Sequence, residues 1–148
     1  MRNDDHLKGI PVASRNKAIN VDGATITPPV TLAMFEGALT CTSMWAGVTA
    51  TDEGNPCTAW TATVTEIDIE SGEREPVREP VRITHNTWLS TLRKIVKHKL
   101  LRDDVVTKIA AVLNATDNDS ATDWVCQLDS YELDQVVQIA VFGEIVYC

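Results

Sequence analysis

Thr58-Ala-Trp-Thr-Ala-Thr-Val-Thr-Glu-Ile-Asp-Ile69 decides the fold class. Trp60, Ala62 and Val64 alternate with Thr61, Thr63 and Thr65, the two-residue period of a strand with one buried face. After Thr65 the apolar phase jumps to Ile67 and Ile69, a slip that a bulge or a twist could absorb. On the N-terminal side, Asp52-Glu53-Gly54-Asn55-Pro56 is turn chemistry. Residues 41–50 (CTSMWAGVTA) then read as the antiparallel partner strand. On the C-terminal side, Val81-Arg82-Ile83 reads as the end of a short third strand. Before it, Arg74-Glu75-Pro76-Val77 is repeated as Arg78-Glu79-Pro80-Val81. The prolines mark this stretch as a loop or a sheet edge.

Helices flank the strands. Thr27 is placed to cap a helix opened by Pro28, with Val30, Ala33, Met34, Ala38 and Leu39 as its buried stripe, fading near Thr40. Thr84 is placed to cap a second helix whose apolar face is Trp88, Leu89, Leu92, Ile95 and Val96, ending near Leu101. Asp103 or Asp104 caps a third, with Val106, Ile109, Ala110 and Leu113 inward, and Asn114 to Asp123 reads as a polar break. Asp129 and Glu132 have capping-box spacing for a last helix lined by Leu133, Val136, Val137, Ala140 and Val141. This segregated order predicts an α+β fold, a small antiparallel sheet of about three strands packed with about four helices. Residues 1–24 are polar and aperiodic, the pattern of a flexible arm, so one domain is expected over 25–148.

The 148 residues suit one core, and 44% hydrophobic with 23% charged residues is globular composition. No apolar run follows the N-terminal MRNDDHLKG, and no stretch approaches membrane-spanning length, so a secretory or membrane location is not expected. Cys41, Cys57, Cys126 and Cys148 form no C-x-x-C pair and are expected as free thiols, with the first three as candidates for burial as small hydrophobes.

Phosphate-loop, dinucleotide, nucleophile-elbow and zinc-protease patterns are all missing. His85, in a first helical turn, is the candidate general base, but the favoured reading is a polar first-turn residue, because the sequence assigns it no nucleophile and no orienting carboxylate. His98 suits a helix C-terminus, and His6 lies in the arm. Glu36 interrupts an apolar face and belongs at the core rim. Asp117-Asn118-Asp119-Ser120 fails as a calcium loop, because its sixth and twelfth positions are Thr122 and Leu128. No catalytic residues, no metal ligands and no cofactor are therefore expected.

Charge is unevenly placed. Residues 83–102 carry Arg93, Lys94, Lys97, Lys99 and Arg102 and no acid, a sum of +5. Residues 103–148 sum to −8 and residues 1–82 to −5, within a net charge of −8. The acids Asp117, Asp119, Asp123, Asp129, Glu132 and Asp134 form a candidate partner-binding surface. Carboxylates spaced like phosphates can occupy the basic groove of a nucleic-acid enzyme. The basic stretch is the alternative nucleic-acid patch; its simpler role is to offset the helix dipole and pair with nearby aspartates.

The ordered pattern Ile26-Thr27-Pro28, Phe35-Glu36-Gly37-Ala38, Trp45, Ile83-Thr84, Leu92-Arg93-Lys94-Ile95 and Val136 through Tyr147 (VVQIAVFGEIVY) resembles a set of small uncharacterised proteins of actinobacterial phages and mobile elements. The resemblance implies such an origin and a bacterial cytoplasmic location; it brings no catalytic residues. The expected function is a non-enzymatic accessory protein that binds and inhibits or modulates a host protein complex, such as a defence nuclease. The alternative is a nucleic-acid-associated regulator using residues 84–101. Phe142, Ile145, Val146 and Tyr147 at the end of the last helix belong either to the core or to a homodimer seam.

Overall fold

A computed structural model describes residues 26–51, 60–70 and 74–147; the expected arm at 1–24 and the turn at 52–56 lie outside these residues. The elements are α1 (Pro28–Thr42), β1 (Ala46–Thr51), β2 (Thr61–Glu66), β3 (Val81–Thr84), α2 (His85–His98), α3 (Asp103–Leu113), α4 (Asn118–Val125) and α5 (Ser130–Phe142). Among the described residues, three antiparallel strands in the order β1-β2-β3 pack with five helices, an α+β fold.

The alternation of β2 sets the sheet. Ala62, Val64 and Glu66 are buried while Thr61, Thr63 and Thr65 stay half-exposed. No bulge absorbs the slip. β2 ends at Glu66; Ile67 makes an isolated bridge to Pro76, and Ile69 is exposed. The first strand starts later than expected, because α1 runs on to Thr42 and a turn carries the chain to Ala46.

On the buried side of the sheet, Phe35 packs against Trp60 and Trp88 at ring-centroid distances of 5.3 and 5.8 Å. Ile83, Leu92, Ile95, Ile109, Val112 and Leu113 extend the same cluster. α1 lies chiefly against α5. It buries Thr31 and Thr42 along with Val30, Met34, Phe35 and Ala38; of the expected stripe, Leu39 is half-buried and Ala33 exposed.

Helix ends follow local chemistry, with corrections. Thr84 caps α2 by accepting from the Thr87 amide at 3.2 Å. Asp129 and Glu132 form the expected capping box of α5, and Gly143 ends that helix at φ +79°. Thr27 occupies the N-cap position of α1, but its hydroxyl donates to Asn118 at 3.1 Å instead of capping. Arg102, not an aspartate, precedes α3; Asp103 and Asp104 lie in its first turn, where they face the positive end of the dipole. The expected polar break at 114–123 instead holds most of α4, a helix the sequence did not announce. Asp117 caps it by accepting from the Ser120 amide at 2.7 Å. Cys41 is half-buried and Cys126 exposed, so neither is the buried small hydrophobe expected.

Candidate functional site

The six candidate acids do not share one surface. Asp117, Asp119 and Asp123 are exposed on α4 and its cap, and Asp129 is exposed at the start of α5. Hydrogen bonds from Ser120 hold the Asp117 carboxyl below its ordinary range, outweighing a small desolvation effect. Glu132 and Asp134, by contrast, are buried at 4% and 5% exposure. Glu132 accepts from the Asp129 amide at 3.0 Å and pairs with Lys108 and Arg102, each at 3.4 Å. Their placement in the acidic surface is thus corrected. The signal was in the sequence: Glu132 is the third position of a capping box, and Asp134 sits between Leu133 and Val136 on an apolar helix.

The basic residues divide similarly. Arg102 pairs with Asp104 and Glu132, as the simpler reading expected. Arg93 is half-buried. Lys94, Lys97 and Lys99 are exposed, with no ion pair to another described residue. Lys99 ends α2 in the left-handed conformation at φ 52°, its amide donating to the Ile95 carbonyl. Lys94 stands at one end of a shallow groove of about 440 Å³ between α2 and α5, where Asn86, Ser90 and Thr91 face Ile139 and Ala140.

His85 is a packed polar residue. Its Nδ1 lies 2.7 Å from the Thr31 hydroxyl oxygen, which also accepts from the Trp60 indole at 2.9 Å and sits 3.1 Å from the Pro28 carbonyl. Thr31 has one proton to donate, so the histidine tautomer decides which neighbour receives it. Partial burial, then the Arg93 charge, lowers the His85 pKa below its ordinary 6.5. Thr31 is fully buried, so its hydroxyl is closed to a substrate. Glu36 is exposed, as its rim position implied. Among the described residues, no group of three or more His, Cys, Asp or Glu side chains could hold a metal ion, and no helix is long and apolar enough to cross a membrane.

One polar constellation went unrecognised in the sequence. Asp134 Oδ1 accepts from the Thr42 hydroxyl at 2.7 Å and the Trp45 indole at 2.9 Å, and its Oδ2 accepts from Gln138 at 2.9 Å. Glu66, buried at 5% exposure, accepts from the Tyr147 hydroxyl and pairs with Arg78 at 2.9 Å. The Arg78 guanidinium lies 5.2 Å over the Phe142 ring. Burial, followed by the Glu66 hydrogen bond and charge, pushes the Tyr147 pKa up to about 12. The available signals were faint: Asp134 and Gln138 at i and i+4 on an apolar helix, and Glu66 in the buried phase of β2.

No protein-family model, no curated protein and no solved structure matches this chain.

Proposed function

We propose that this chain is a non-catalytic accessory protein of a phage or mobile element, acting in the bacterial cytoplasm, that binds and inhibits or modulates a host protein complex. A defence nuclease of the CRISPR or restriction type is the target class. The observation that carries the reading is the α4 edge. Asp117, Asp119 and Asp123 are exposed within seven residues, and α4 contains no basic residue. Such an edge on a chain of net charge −8 is steered toward a basic groove. The test is a pulldown from bacterial lysate with the wild-type chain and an Asp117→Asn/Asp119→Asn/Asp123→Asn variant. The expected result is a nuclease or nuclease complex retained by the wild type and lost by the variant. A set of captured proteins that is the same for both chains contradicts the reading.

A second reading rests on Lys94, Lys97 and Lys99, which are exposed without an ion partner among the described residues. It makes α2 a contact for nucleic-acid phosphates. Binding would then weaken steeply with salt and disappear in Lys94→Glu/Lys97→Glu. No binding at low salt, or unchanged binding by that variant, removes it.

A further inference from the structure

Residues 143–147 leave α5 at Gly143 and return as a strap without regular secondary structure. The body of the fold grips this strap largely through side chains. Gln138, 1% exposed, accepts from the Val146 and Tyr147 amides at 2.8 and 2.7 Å. Its amide nitrogen donates to the Tyr147 carbonyl at 2.9 Å. The Tyr147 ring stacks on Trp45 at 5.3 Å with 13° between planes, and its hydroxyl donates to Glu66. Asp134 fixes both Gln138 and the Trp45 indole that form this grip.

These contacts read three backbone groups, one flat ring and one phenol. That is the chemistry of recognising a short turned peptide, with two successive amides converging on one oxygen, and it does not depend on the peptide being attached to α5. The lining is also an expensive way to close a core. Glu66, Asp134 and Gln138 are all at least nine-tenths buried, where apolar side chains would hold a tail with less desolvation. Gly143 supplies the turn. Its φ is +79°, and a Cβ there would meet nothing within 4 Å, so the backbone conformation, not space, selects glycine.

We propose that this pocket is a peptide-binding site, filled in cis by residues 143–147 and filled in trans by the same segment of a second copy of the chain. The strap is itself the sequence shown to fit the pocket, so a second copy carries a ligand of identical chemistry. Five residues reach at most about 17 Å, so exchange brings the C-terminal ends of two α5 helices side by side. Val146 is 42% exposed there, with half-buried Val141 and Ile145 beside it, and these apolar side chains would meet across the symmetry axis.

The test uses the full-length Tyr147→Ala chain, which empties the ring position, and a fluorescein-labelled peptide Gly-Glu-Ile-Val-Tyr. Fluorescence anisotropy is expected to show saturable binding. Affinity should fall by about tenfold or more when the peptide tyrosine is alanine, or when Gln138→Ala is added to the chain. A folded Tyr147→Ala chain that does not bind, or binding indifferent to Gln138, overturns the proposal. Light scattering on a sizing column provides the second measurement. Gly143→Val strains the closed turn and is expected to raise the dimer fraction over wild type at equal concentration, with free peptide reversing it. A Gly143→Val chain that stays monomeric at every concentration overturns the exchange even where the peptide binds, and it decides the matter should Tyr147→Ala fail to fold.

Discussion

Tyr147 and His85 shift in opposite directions and act at opposite ends of the pH scale. The folded-state pKa of Tyr147 is raised from 10 to about 12, so its contribution is complete below pH 10 and is lost as pH rises toward 12. The wild type should therefore lose denaturant resistance between pH 10 and 12 more steeply than Tyr147→Phe, read from urea midpoints. Tyr147→Phe should also be less stable near neutral pH by about 1–3 kcal/mol, because the buried Glu66 loses a hydrogen-bond donor and keeps only the Arg78 pair. His85 has a lowered folded-state pKa, so its contribution is present above 6.5 and fades as pH falls below that value. Urea midpoints at pH 7 and pH 5 should differ more for the wild type than for His85→Asn. Asp134→Ala strands the Trp45 indole, the Thr42 hydroxyl and one Gln138 proton together. A loss of about 3 kcal/mol or more is expected in chemical unfolding.

At the scale of the elements, helices with a wide apolar stripe were readable, and the short α4, with a narrow one, was not, although Asp117 caps it. α2 was legible from five residues at helical offsets and from Thr84, and α5 from its capping box. α4 was hidden, because its eight residues bury little beyond Ala121 and Val125 and its charges imitate a loop. The partners of Glu132 and Asp134 were obscured for a different reason. Their partners Arg102, Lys108, Thr42 and Trp45 come from other segments, and no periodicity reports those encounters. Two substitutions test the element packing. Asp129→Ala removes the α5 cap and should cost about 1 kcal/mol by thermal or chemical unfolding. A Cβ on Gly37 would lie 2.8 Å from the Leu133 side chain, so α1 and α5 approach closely there. Gly37→Val should push the Leu133 side chain out of its packed position, with a loss of about 1–3 kcal/mol and no change in the sheet signal by circular dichroism.

For the whole molecule, charge is unevenly distributed along the chain rather than merely negative. The exposed lysines of α2 and the exposed aspartates of α4 belong to different helices, and Arg102 and Lys108 are drawn into pairs with the buried Glu132. The acidic surface is therefore smaller than the sequence suggested, reduced to Asp117, Asp119 and Asp123 with Asp129 at the next helix start. Both binding readings predict salt sensitivity, so salt alone does not separate them; the charge that must be removed does. The direct measurement is a quantitative pulldown from bacterial lysate with three chains: wild type, Asp117→Asn/Asp119→Asn/Asp123→Asn, and Lys94→Glu/Lys97→Glu. A nuclease complex is expected to be retained by the wild type and the lysine variant and lost by the aspartate variant. Retention by the aspartate variant, or loss only in the lysine variant, would contradict the proposed function.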